Sequence, residues 1–296
     1  MKKLTGFLLA ILVFAVVSIS FTSCGEPEEP DVPNVPEESG AGYYNPKKKI
    51  SKMYLQVEGG PEYIDQEWVW KGNKVRSITH YHNGAAYVTE EFIYEGNRLI
   101  EIRNNHGHRT EYTYNNKRFE KIRYYTPADF LAAEITFQYD GDKISVMTLN
   151  KYDVDKNIVS MIERSLMRNL LSGKGGELVS KKLANQIEET IVMDLSYEGE
   201  NLSSMSMDGI DIYTYSDFDT HANVWCGFFP FIPFNDVNFD VLSKNNPGKW
   251  IIRADEQNSI NVTYDYIYNL DFPVMIKTTA TDGTFTQEVI IRIEYR

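Results

Sequence analysis

Phe92-Ile93-Tyr94-Glu95-Gly96-Asn97-Arg98-Leu99-Ile100-Glu101-Ile102 decides the fold. Apolar residues alternate up to a Gly-Asn pair and resume after it, the pattern of two strands joined by a two-residue turn. Gly-Asn tolerates the positive φ that such a turn demands. The chain repeats the unit at Trp68 to Ile78, Tyr112 to Ile122, Phe137 to Met147 and Leu195 to Met205. A two-residue loop puts Tyr94 across from Leu99 and Glu95 across from Arg98. The same rule pairs Trp70 with Val75, Tyr114 with Phe119, Tyr139 with Ile144 and Tyr197 with Leu202. Such aromatic–aliphatic pairs contribute roughly 0.2–1 kcal/mol each. One feature departs from a regular ribbon: Leu99 and Ile102 are three apart, and an unbroken strand puts them on opposite faces. Either a bulge shifts the phase after the turn or both faces are covered.

Outward from these units, strands are expected near 50–57, 64–71, 74–82, 86–94, 98–104, 109–115, 118–125, 133–139 and 143–151, then within 190–207 and 210–215. Three more are expected near 260–268, 274–281 and 284–295, the last two joined at Asp282-Gly283. The fold class is all-β, a long antiparallel meander of roughly fourteen strands curled into a barrel or half-barrel. Residues 155–188 interrupt it. Ile158, Ile162, Leu166 and Leu170 follow i, i+4 spacing, a helical insertion that covers a barrel end. The run Val224 to Phe234 is the most apolar part of the chain after its start, and Pro230 and Pro233 keep it out of a central strand. It reads as a plug or cap over a core, followed by a short helix near 235–243.

The N-terminus gives an address. Lys2 and Lys3 precede an apolar run from Phe7 to Val17, a secretory signal over residues 1–23. Phe21-Thr22-Ser23-Cys24 resembles a bacterial lipoprotein box, which makes Cys24 the lipidated residue and the outer membrane the place of anchorage. Residues 24–46 carry prolines and acids with almost nothing to bury, a tether in front of one domain at 47–296. Glu26, Glu28, Glu29 and Asp31 resemble the acidic export signal of surface lipoproteins in the Bacteroides group, so exposure at the surface is favoured over the periplasm.

The chain has 30 bases, 42 acids and a net charge of −12. Acid in excess opposes phosphate backbones, so nucleic acid is no expected partner. With Cys24 acylated, Cys226 is the other cysteine and is expected to pack as a small buried hydrophobe. Ser172 to Gly176 lacks the Ser or Thr of a phosphate loop, and Asp153, Asp155 and Asn157 lack the Gly and Glu of a calcium loop.

Four histidines are the candidate metal ligands. His80 with His82, and His106 with His108, put imidazoles in pairs 26 residues apart. Both pairs also lie beside turns, where histidine is common, and no acid completes a set, so no metal or cofactor is assigned. Asp217 to His221 reads as a polar turn. Trp68, Trp70, Tyr94 and Tyr114 are candidate platforms for stacking a sugar, although the same positions suit core pairs. No catalytic residue is assigned, because carboxylates for glycoside hydrolysis meet in space and leave no spacing to find.

Several features together resemble a family of Bacteroides-type lipoproteins of unknown function with a porin-like β fold. They are the lipobox and acidic tether, the Tyr-x-Gly-Asn-Lys/Arg-Leu units, Tyr215 to Thr220, Leu242 to Pro247 and Tyr264 to Pro273. Val224 after Asn223, in place of Pro, and the 155–188 insertion depart from that pattern. The resemblance implies a fold and an address and carries no catalytic residues. The expected function is a non-enzymatic binding or interaction module for a glycan or an envelope partner. A surface hydrolase of a polysaccharide or other polymer is the alternative, and a purely structural lipoprotein a third reading.

Overall fold

A computed structural model describes residues 44, 46–82, 84–152, 190–228, 239–253 and 259–296. The signal, Cys24, nearly all of the tether and the helical insertion expected at 155–188 lie outside them. Glu38–Arg296 form one compact unit.

Sixteen strands follow in order: β1 Ile50–Val57, β2 Tyr63–Lys71, β3 Lys74–His82, β4 Ala85–Glu95, β5 Arg98–Asn104, β6 Arg109–Asn115, β7 Arg118–Tyr125 and β8 Leu131–Asp140. Then come β9 Lys143–Lys151, β10 Thr190–Glu198, β11 Asn201–Met207, β12 Ile210–Ser216, β13 Lys249–Arg253, β14 Ser259–Asn269, β15 Phe272–Thr281 and β16 Thr286–Tyr295. Every strand pairs antiparallel with its predecessor, and β1 pairs with β16, so the meander closes into a barrel. The strand not foreseen is β13. Of the short helix expected near 235–243, Phe239–Leu242 form a 3₁₀ helix, and 235–238 lie outside the described residues.

Alternation fixes the two ends. The near end holds the start of β1 and the connections after even-numbered strands. The far rim holds those after odd-numbered strands. All five expected cross-strand pairs form, Tyr94 with Leu99 among them. The phase problem is resolved by a bulge after each turn. Ile93 pairs with Glu101 and Tyr94 with Leu99, which leaves Ile100 as the extra residue. Leu99 and Ile102 are therefore both buried, at 6% and 2% exposure. Gly96 takes φ 55 at the tip, the left-handed conformation that costs an L side chain about 1–2 kcal/mol.

Neighbouring units are fastened by their aromatic and basic residues. Tyr114 Oη donates to Leu99 O at 2.6 Å and Tyr139 Oη to Phe119 O at 3.1 Å, each reaching one hairpin back. Trp70 Nε1 does the same to Ile50 O at 2.7 Å. In four of the five units a cation follows the turn and reaches the other way. Lys74 lies 5.6 Å from the centre of the Tyr94 ring, Arg98 5.3 Å from Tyr114 and Arg118 5.1 Å from Tyr139. Each such contact contributes roughly 0.5–1 kcal/mol at an exposed site. Burial raises the Tyr139 phenol to about 12, so it remains a donor.

All sixteen strands contribute inward side chains to one buried apolar cluster, from Ile50 on β1 to Ile293 on β16. Outward positions carry ion pairs instead: Lys52–Glu67 at 2.7 Å, Arg123–Glu134 at 2.8 Å, Lys277–Glu288 at 2.6 Å and Arg292–Glu294 at 2.7 Å. A lipid-embedded barrel has the reverse polarity, with an apolar band outside and a polar lumen. Each outward Lys or Arg at a bilayer midplane would cost about 2–4 kcal/mol.

Candidate functional site

The connection from β12 to β13 crosses the near end of the interior. Val224 is buried, and Phe228 packs 4.9 Å from Trp68 and 6.1 Å from Phe92, on strands well around the barrel from β12. The expected plug is present in the described residues 224–228. Tyr44 joins it, 4.7 Å from Phe228 and donating to Val224 O at 2.5 Å. Cys226 corrects one expectation: it is exposed. The tight turn at 224–227 gives the buried position to Val224 and swings the thiol outward.

This packing decides where the four candidate stacking rings sit. Trp68 and Trp70 are each 6% exposed, in the core rather than on a groove. Tyr94 and Tyr114 are partly buried against that core, with their hydroxyls and ring faces engaged by the neighbouring units.

The four histidines separate. His80 Nε2 lies 3.2 Å from Glu90 Oε2, and the Glu90 side chain is fully buried in the interior. His82 and His106 are exposed at the far rim, on either side of Tyr87, whose ring centre is 6.4 Å from one and 5.7 Å from the other. His106 Nε2 lies 2.8 Å from Tyr87 O. His108 sits deeper, and burial, with a smaller push from His106, lowers its pKa below the usual imidazole value. Among the described residues no group of three or more His, Cys, Asp or Glu side chains comes together to hold a metal.

The polar turn at Asp217 to His221 is a clasp. Asp219 accepts from His221 N at 2.9 Å, from Asn246 Nδ2 at 3.3 Å and from Tyr268 Oη. The His221 ring stacks on Tyr268 at 3.9 Å and 13°. A carboxylate engaged by this many donors is an anchor, here for the plug connection against β14.

Loops of the far rim form a contiguous strip. Gly107 lies so close to Pro127 that a Cβ would stand 3.2 Å from the proline Cβ, which joins the β5–β6 and β7–β8 loops. Thr126 N donates to Phe130 O at 2.9 Å, and Phe130 N to Thr126 Oγ1 at 3.2 Å. Arg109, 4.0 Å over the Tyr125 ring, also pairs with Asp129. This rigid turn holds Phe130 63% exposed, with Tyr87 (49%) and Tyr152 (42%) also on the far rim. Exposed aromatics on a fixed scaffold are the usual mark of a binding surface. Phe130 is not among the residues that the sequence pattern singles out. Its signal is the loop Thr126-Pro127-Ala128-Asp129, which ends on an aromatic ring instead of burying it.

The architecture is similar to that of a porin-like protein from Bacteroides uniformis ATCC 8492 in its crystal structure. The TM-score is 0.52 at 12% identity, over 87% of this chain and 100% of that one. A porin-like protein from Bacteroides vulgatus ATCC 8482 also matches, at 11% identity over 84% of this chain and 99% of that one, with a TM-score of 0.29. No protein-family model and no curated protein matches the sequence. The likeness at 12% identity is one of fold.

Proposed function

We propose that the chain is a non-enzymatic envelope lipoprotein, anchored through Cys24, whose barrel presents its far rim to a glycan or an envelope partner. One observation carries this reading. The chain enters the barrel at the near end, through Tyr44 and Ile50, while Phe130, Tyr87 and Tyr152 stand exposed at the opposite end. A tether from an acylated Cys24 would join the barrel at the end opposite the aromatic rim and leave that rim free to face away from the bilayer. The charged outer wall and apolar interior support a domain that stands outside the membrane. Two measurements test the reading. Palmitate incorporation is expected in the native chain and lost in Cys24→Ala. On a glycan array, binding by residues 25–296 is expected to fall at least tenfold in Phe130→Ala, as for an aromatic anchor at the centre of an interface. Retained labelling in Cys24→Ala, or unchanged array binding in Phe130→Ala, refutes the corresponding half.

A further inference from the structure

One near-end hairpin breaks the rule that the others keep. Tyr268-Asn269-Leu270-Asp271-Phe272-Pro273 has the geometry of Tyr94 to Leu99: Ile267 pairs with Met275 and Tyr268 with Pro273, leaving Val274 as the extra residue. Leu270 thus stands where Gly72, Gly96, Gly141, Gly199 and Asn116 stand in the other units, and it takes φ 59. That conformation is costly for a branched side chain, and here no burial offsets it. Leu270 is 80% exposed, the most exposed large hydrophobic residue among those described. A strained residue with no packing reason for its strain points to a role outside the fold.

Its surroundings indicate the role. Phe272 stands where four of the other units have a cation (Lys74, Arg98, Arg118 and Lys143) and the fifth has Asn201, and Lys48 Nζ lies 5.0 Å from the centre of its ring. β15 is separated from β1 by β16 alone, so the Leu270 tip stands beside the point where the chain enters the barrel. The near end also carries Lys47, Lys71, Lys74, Lys117 and Lys143, in a chain whose net charge is −12. Asp142 and Glu200 are engaged by Arg118 and Lys244. Glu95, Asp140, Glu198 and Asp271 stand among the lysines; over the hairpin tips and the entry segment nine described Lys and Arg face six Asp and Glu, while the β12–β13 connection sets Asp217 and Asp219 beside Lys244.

We infer that the near end is a bilayer-contacting face, on which lysines settle against anionic phospholipid headgroups and Leu270 enters the acyl boundary. The proposal rests on the anchored reading above for its delivery to a membrane, and its chemistry is independent of the lipid anchor. Basic residues near an anionic surface and one inserted apolar side chain add to an anchor that alone fixes no orientation.

The test uses residues 25–296, which retain the whole compact unit and lack the acylated cysteine. Sedimentation with phosphatidylcholine vesicles is compared with sedimentation with vesicles containing phosphatidylglycerol, at low and high salt. Binding at least tenfold stronger to the anionic vesicles is expected, lost at high salt. Lys117→Glu is expected to weaken it about fivefold or more, the value of a lysine near an anionic surface. Leu270→Gly separates contact from folding: its urea midpoint is expected to rise while vesicle binding falls. Equal binding to neutral and anionic vesicles, full binding by Leu270→Gly, or a Leu270-dependent dimer in sedimentation velocity overturns the inference. Absence of palmitate at Cys24, with vesicle binding retained, overturns the anchor and leaves this face standing.

Discussion

Two tyrosines on β6, two residues apart, are expected to respond to the same substitution with opposite sign. Tyr114 Oη donates to Leu99 O at 2.6 Å across the junction between hairpins. Tyr112, 5% exposed, buries a hydroxyl that has no hydrogen-bond partner among the described residues. Replacing Tyr114 by Phe keeps the ring, its 5.1 Å contact with Phe119 and the overlying Arg98 at 5.3 Å, so only the hydrogen bond is lost. A net loss of about 1 kcal/mol follows. Tyr112→Phe removes a dehydrated hydroxyl, whose desolvation costs about 1–3 kcal/mol, and a gain of about 1 kcal/mol is expected. Burial raises both phenols above their ordinary pKa, so neither carries charge at neutral pH to confuse the comparison. Urea unfolding followed by tryptophan fluorescence and circular dichroism gives both values, provided the slopes match. Changes of the same sign in the two variants, or no loss in Tyr114→Phe, would refute the account of hairpin-to-hairpin fastening.

Three further outcomes are expected. Gly96→Val, at φ 55 with open space around the Cβ it would add, is expected to lose about 1–2 kcal/mol through backbone strain alone, read as a lower urea midpoint at unchanged slope. His108 has a folded pKa lowered mainly by burial, so the unfolded chain binds its proton first as pH falls. Its contribution is complete above the unfolded value near 6.5 and is lost as pH falls below that toward the folded value; His108→Gln is expected to flatten this part of the stability–pH curve. Phe228→Ala, which vacates contacts with Tyr44, Trp68 and Phe92, is expected to cost about 2–4 kcal/mol and to shift the tryptophan emission to the red.

How much of this was legible depended on the range of the interaction. The Tyr94–Leu99 register follows from a two-residue loop, and the strands around it fall within a few residues of their expected limits. The i, i+3 spacing of Leu99 and Ile102 already required either a bulge or two covered faces, and Ile100 supplies the bulge. The sideways bonds were not legible, because Tyr139 and Phe119 lie 20 residues apart and meet only once hairpins are known to stand side by side. β13 was missed because five residues, Lys-Trp-Ile-Ile-Arg, give too short an alternation to stand out, although Trp250 and Ile252 are both buried. The histidine pairs show another limit of spacing in sequence. Matching separation in sequence put His80 inside, against Glu90, and His106 outside, against Tyr87.

The strand number and the polarity of the wall pull in different directions, and the connection after β12 reconciles them. Sixteen strands enclose a space wide enough for an aqueous channel when the lumen is polar. Here much of the inward wall is apolar, although Glu90, Thr110 and Gln287 are also buried in it, and water along the apolar part is disfavoured. At the near end, protein takes up part of that space. Each near-end bulge turns an additional large residue inward, Leu99 as well as Ile102, and Phe228 and Phe239 of the β12–β13 connection pack against Trp68 and Tyr213 on separate parts of the wall. The Asp219–Tyr268–Asn246 clasp holds the root of that connection to β14. Among the described residues, the near end of the bore is thus occupied by protein rather than open.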